Sequence, residues 1–280
     1  MTGSEPPPRK FPLPLERLRA APSGAARLGV PVPTARAVAA APLPPLSGTT
    51  RVPRAGAPPA GLGLDSADVR RRMVERLREG GVTHPHVLAA FAKVPRHLFV
   101  DAALGTQAYE DTALPIGHGQ TISKPSVVAR MLEMLLAGSN ARAAGHLGGV
   151  LEIGTGCGYQ AALLCEVGRR VVSVERLRSM HDKARELLAP MRSHRLRLVL
   201  DDGMRGHPPG APYDSIIAAA GGNDIPAAWL EQLAIGGRLV SPVEQGSGVQ
   251  ALVIVDRAEA GFTRTVHGAV KFVPLKSGLA

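Results

Sequence analysis

From Asp68 onward the apolar side chains recur first at helical spacing and then in short runs. DVRRRMVERLREGG places Val69, Met73 and Leu77 on one helical face, with Ser66 as N-cap and Gly80-Gly81 as the stop. HPHVLAAFAKV predicts a second helix, ending before Pro95. ALPIGHGQTISKPSVVARMLEMLLAG passes from a Gly-rich, polar loop into a helix that starts near Pro125 and carries Val128, Met131, Leu132 and Leu135 on one face. Beyond it the chain alternates. GGVLEIG, RVVSVE, RLRLVLDDG, YDSIIAAA and RLVSPV read as strands, and QAALLCEVG, RSMHDKARELLAPM and IPAAWLEQLAIGG as helices. Short apolar runs separated by amphipathic helices are the pattern of a parallel sheet covered on both faces. VQALVIVDR and FTRTVHGAVKFVPL then alternate apolar and polar with no long helix between them, which predicts antiparallel strands at one edge. The expected fold is a doubly wound, Rossmann-like α/β domain with a mostly parallel sheet.

Composition changes this picture only before Ser66. Residues 1–65 hold 14 of the 25 prolines, 8 of the 33 basic residues, 3 of the 23 acidic ones and a single aromatic, Phe11. So little apolar bulk cannot offset the entropy of ordering a backbone, and the stretch is expected to be a disordered tail. Its Arg and Ala content is also that of an organelle transit peptide, but the prolines oppose the amphipathic helix such a peptide forms. Half of the net charge of +10 lies in this tail, so the remaining 215 residues carry only +5. One Trp and three Tyr offer little stacking surface, which counts against a nucleic-acid-binding protein. No stretch approaches the roughly 20 apolar residues of a membrane span. Cys157 and Cys165 form neither a CxxC nor a zinc-ligand pattern, so no metal is expected and a reducing cytoplasm is the default compartment.

The first predicted strand and its turn read Leu151-Glu152-Ile153-Gly154-Thr155-Gly156-Cys157-Gly158-Tyr159. Alternate glycines allow a tight turn and close approach of a ligand. A nicotinamide fingerprint would place Gly or Ala at 159, where Tyr159 stands. The GxGxG spacing with Glu152 ahead of it instead suits S-adenosyl-L-methionine. Glu175 ends the next strand, 21 residues after Gly154, where a carboxylate can accept from a ribose diol. Asp202, followed by Gly203, ends the third and is a candidate for the adenine amino group.

VPRHLFVDAALGTQAYEDTALPIGHGQTISKPSVVARMLEML, followed by VLEIGTGCGYQAALL, VVSVER, APYDSII, LEQLAIGGRLVSPV and FVPL, closely resembles the protein-L-isoaspartate O-methyltransferases from about Asp68 to the end of the chain. ALPIGHGQTIS is the most specific part, because the Gly turn and its acids would look the same in a methyltransferase of RNA or of a small molecule. The resemblance implies methyl transfer to the free carboxylate of L-isoaspartyl residues, and less well of D-aspartyl residues, in damaged proteins and peptides. It implies a monomer; composition and hydropathy already argue against a nucleic-acid or membrane partner. It also implies an altered order of the last strands. Its active-site serine falls on Ser123, and its cofactor residues on Thr121, Glu152, Gly154, Thr155, Gly156, Gly158, Glu175, Asp202 and Gly203. The domain then divides into a helical and active-loop segment (66–140), a cofactor-binding core (141–240) and C-terminal strands (241–280).

An isoaspartyl carboxylate, with a reference pKa of roughly 3.5 to 4, is already ionised at neutral pH, so no general base is required. Alignment is what the protein must supply, an effect that can be worth roughly 7 kcal/mol or more. Ser123 fits a hydrogen-bond donor that orients the carboxylate. Cys157 is expected to be a small filler, His118 a loop residue outside the chemistry, Trp229 a core residue, and the charges of RSMHDKAR a solvated face. Two departures from the family pattern stand out. Ala219-Ala220-Gly221-Gly222-Asn223 follows the fourth strand, where the glycines suggest extra mobility, and Glu244 follows PV, where it is expected to point outward.

Overall fold

The computed structural model describes residues 67–280 apart from Ser247; the expected tail and the Ser66 cap lie outside the described residues. Helix α1 (Ala67–Glu79) and helix α2 (Pro85–Lys93) form where the apolar spacing places them. Glu133 caps α2 from a distance, its Oε1 accepting the Thr83 and His84 N–H groups at 2.6 Å each. The segment read as a polar loop is instead a short hairpin, β1 (Leu114–Gly117) and β2 (Gln120–Ile122). Its turn needs left-handed backbone at Gly117, His118 and Gly119, which the flanking glycines adopt without strain. Helix α3 (Pro125–Leu136) follows, with Pro125 in its first turn, and a six-residue helix α4 (Ser139–Ala144) that the pattern did not predict. That helix buries only Ala141, so it leaves almost no apolar signature.

The core then alternates through β3 (Gly149–Ile153), α5 (Tyr159–Val167), β4 (Arg170–Glu175), α6 (Arg178–Leu188), β5 (Leu196–Leu200), β6 (Tyr213–Ala218) and α7 (Ala227–Gln232). Strands β7 (Leu233–Glu244), β8 (Gln250–Ala258) and β9 (Gly261–Val270) complete it. The sheet order is β5-β4-β3-β6-β7-β8-β9. β3 pairs in parallel with β4 on one side and β6 on the other, so the strand order reverses at β3. The last two pairings are antiparallel, leaving the final three strands in chain order.

Successive residues of β3 enter opposite cores, as the pleat requires. Val150 joins the larger cluster, built with side chains of α1 to α6, whereas Leu151 and Ile153 join the cluster around Trp229. Two expectations are corrected here. The helix expected to run through Gly237 stops at Gln232, because Leu233 already pairs with Tyr213. The register then shifts before Ser215 pairs with Arg238; Gly236 is left-handed, and a side chain at Gly237 would meet the Ala234 and Asp214 carbonyls. FVPL, expected within the last strand, lies beyond it: β9 ends at Val270.

Candidate active site

A cavity opens at the carboxyl ends of β3, β4 and β6, beside the point of strand reversal. Its floor is the turn after β3. Gly154, Gly156 and Gly158 all have positive φ, at 88°, 56° and 92°. At Gly158 a side chain would also collide with Leu188 at 2.6 Å. Glu175, at the end of β4, holds this turn and its own loop together. Its Oε2 accepts the Gly156 N–H at 2.9 Å, and its Oε1 accepts those of Arg176 and Leu177 at 2.9 and 3.0 Å. The hairpin and the loop after it form the facing wall, with Thr121 and Ser123 both lining the cavity. Ser123 is half-buried and Thr121 exposed.

The expected cofactor residues separate into two groups. Thr121, Gly154, Thr155, Gly156, Glu175 and Gly203 line the cavity; Glu152, Gly158 and Asp202 do not. Glu152 is fully buried behind the turn, where Ser173 Oγ donates to its Oε2 at 2.5 Å and lies 2.6 Å from Thr155 Oγ1. Burial pushes its carboxyl up to about 8, outweighing hydrogen bonds from Ser173 and Gln160 that act in the other direction. Glu152 is therefore a brace for Thr155. Asp202 spends both oxygens on main-chain donors, Met204 at 2.9 Å and Gly278 at 2.7 Å. Gly203 is held from behind by Trp229, whose Nε1 donates to its carbonyl at 2.8 Å, and a side chain at 203 would strike Ile153 at 2.7 Å. Trp229 is thus a core residue, as expected, that also fixes the cavity wall.

Burial pushes the Cys157 and Cys165 thiols up to about 11 each, which suits fillers and opposes nucleophiles. His118 lines the cavity from the hairpin turn and is exposed. Glu244 is exposed, as expected. Gly221 and Gly222 do not loosen their loop: Gly221 bridges to Pro274 and Gly222 to Val243. A side chain at Gly221 would meet the end of the Gln250 side chain.

Several positioning residues escaped the sequence pattern. Asp111 caps the start of α3, accepting from Ser126 N and Oγ at 2.8 and 2.7 Å, just after Ser123. Arg96 is fully buried, donates to Thr112 O at 3.2 Å and lies over the Tyr159 ring at 5.0 Å, tying the segment just before the hairpin to the start of α5. Lys183, assigned to a solvated face, donates to Ile116 O of the hairpin at 2.9 Å. Its place between Met180 and Ala184 on the buried side of α6 was the available signal. Among the described residues, no cluster could hold a metal ion and no helix is long and apolar enough to cross a membrane.

Residues 68–280 match the family described as Protein-L-isoaspartate(D-aspartate) O-methyltransferase. The protein-L-isoaspartate O-methyltransferase of Leptothrix cholodnii is 55% identical over 287 residues, covering 99% of this chain and 98% of that one. That of Methylibium petroleiphilum is 55% identical over 281 residues, covering 99% of each. Among solved structures, a protein-L-isoaspartate O-methyltransferase superposes with a TM-score of 0.66 at 28% identity, over 75% of this chain and 67% of that one. A putative member from Plasmodium falciparum, solved with S-adenosyl-L-homocysteine, gives 0.61 at 20% identity over 74% and 98%, a likeness of fold. The strand order, the glycine turn facing the hairpin and these matches agree: the chain belongs to the protein-L-isoaspartate(D-aspartate) O-methyltransferase family.

Proposed function

We propose that the enzyme transfers a methyl group from S-adenosyl-L-methionine to the free carboxylate of L-isoaspartyl and D-aspartyl residues in damaged proteins and peptides, with Ser123 orienting that carboxylate. The observation that carries this reading is the meeting of the hairpin loop holding Ser123 and the three-glycine turn across one cavity. The residues present fit the cofactor. The glycine turn leaves room for a ligand against the main chain, Glu175 brings a buried carboxylate to the cavity with acceptor capacity left for a ribose hydroxyl, and Gly203 lies on the same wall. When bound, the cofactor supplies an electrophilic methyl group on a cationic sulfur.

The chain's own part is positioning and exclusion of water. The substrate carboxylate is ionised without help, so the site needs a donor that fixes one oxygen and leaves the other free to attack. Ser123, half-buried at the cavity wall just before α3, suits that task. Among the described residues no base is hydrogen-bonded to its hydroxyl, which suits a donor rather than a nucleophile. Asp111 and Arg96 hold the hairpin and the helix start on either side of it. The ester formed is then attacked by the following backbone nitrogen, methanol leaves, and hydrolysis of the succinimide returns part of the material to normal aspartate.

The test is transfer of labelled methyl to a matched peptide pair that differs only in isoaspartyl against aspartyl linkage. Labelling confined to the isoaspartyl peptide is expected. Equal labelling of both, or of neither, overturns the substrate assignment.

A further inference from the structure

The roof of the cavity does not come from the parallel strands. Beyond β9 the chain leaves the sheet and runs back across the carboxyl ends of β6, β5 and β4, and Val273, Pro274, Leu275 and Lys276 line the cavity from above. Its attachments are mostly main-chain. Gly221 N donates to Val273 O and Leu275 N to Gly221 O, each at 2.8 Å. Gly278 N donates to Asp202 Oδ2 at 2.7 Å, and Arg176 Nε to Gly278 O at 2.8 Å. Ala280 N donates to Arg176 O, and Arg178 N to Ala280 O, at 3.0 Å each.

The packing beneath these bonds is thin. Phe272, Val273 and Leu275 are half-buried, Lys276 to Ala280 are exposed, and Leu279 keeps 60% of its surface in solvent. The floor is the opposite, with Thr155, Gln160 and Glu175 all buried. A segment held by surface hydrogen bonds over little apolar contact opens far more readily than the core beneath it.

We propose that residues 273–280 are a lid over the cofactor cavity, latched by the Gly278 N–H on Asp202, whose opening controls cofactor entry and release of the demethylated product. The proposal rests on the reading that this cavity binds S-adenosyl-L-methionine. Asp202 stands just beyond β5, next to Gly203 of the cavity wall, so the latch is anchored beside the cavity. Nothing covalent is required, and the lid takes no part in methyl transfer itself.

The experiment is stopped-flow displacement of S-adenosyl-L-homocysteine from the full chain, from Gly278→Pro, which lacks the latch N–H, and from a chain ending at Lys276. Both altered proteins are expected to release the ligand at least tenfold faster, with a higher KM for S-adenosyl-L-methionine. Release rates within twofold of the full chain, in variants whose melting temperature is retained, overturn the lid. A second measurement serves if a variant fails to fold. In the unaltered chain, saturating S-adenosyl-L-homocysteine should slow amide exchange at Leu275, Gly278 and Ala280, and exchange indifferent to the ligand overturns it equally. Tight binding with gated release but no methyl transfer to an isoaspartyl peptide counts against the substrate and leaves the lid standing.

Discussion

The carboxylate of Glu175 accepts the backbone N–H of Gly156 at 2.9 Å, joining the end of β4 to the middle of the glycine turn. One side chain therefore shapes the turn and lines the cavity. Charge-assisted hydrogen bonds contribute roughly 1.5–3 kcal/mol each. Glu175→Ala should weaken S-adenosyl-L-homocysteine binding by about tenfold to a hundredfold, read by calorimetry. The peptide KM at saturating cofactor should change much less, because the hairpin wall does not depend on Glu175.

Ser123, proposed to orient the substrate carboxylate, should separate binding from chemistry in the other direction. Ser123→Ala should lower kcat by roughly tenfold to a hundredfold, the range of a lost orienting donor, while the affinity for S-adenosyl-L-homocysteine stays within about twofold. Unchanged turnover on an isoaspartyl peptide would remove Ser123 from the mechanism.

Glu152 makes stability depend on pH with an unusual sign for an acid. Burial raises its carboxyl from 4.5 to about 8, so between those values the folded protein holds a proton that the unfolded chain has lost. Its contribution to stability is full below about 4.5 and falls as pH rises to about 8, by up to about 1.4 kcal/mol per pH unit. Gln at this position cannot titrate. The melting temperature of the native protein should therefore drop relative to Glu152→Gln between about pH 5 and pH 8, and a constant offset across that range would show the carboxyl ionised throughout.

Trp229 links the second core to the cavity wall. Trp229→Phe removes the indole donor to Gly203 O and leaves a void, at a cost of about 2–4 kcal/mol. A lower melting temperature should come with weaker cofactor binding; retention of full affinity would show that Gly203 is placed without the indole.

Cys157 lies in the glycine turn, where a helix start could have activated a thiol. Burial instead holds it near 11. Iodoacetamide at about pH 8 should leave both cysteines unmodified in the folded protein and alkylate both in denaturant, as read by mass spectrometry.

The order of elements and the chemistry at the strand ends were legible in the sequence because both are local. A buried parallel strand has to be a short apolar run, and a turn that requires positive φ has to hold glycine, so Gly154, Gly156 and Gly158 announce themselves. The roles of the acids were not legible, because a carboxylate's partners come from distant chain. Glu152 met Ser173 and a buried environment, Asp202 met Gly278, and only Glu175 turned to the cavity. The hairpin was missed for a related reason. Its strands are four and three residues long and carry one buried residue at 122 and two at 114 and 116, too few for a period to show. The side chains that hold it and its flanks, Arg96, Asp111 and Lys183, act across 16, 15 and 67 residues of sequence. By itself the sequence determined the sheet, its glycine turn and the serine loop, since propensity and burial act residue by residue. Tertiary structure alone decided which acid lines the cavity and that residues 273–276 line it too, since those depend on how distant stretches of chain pack against the strand ends.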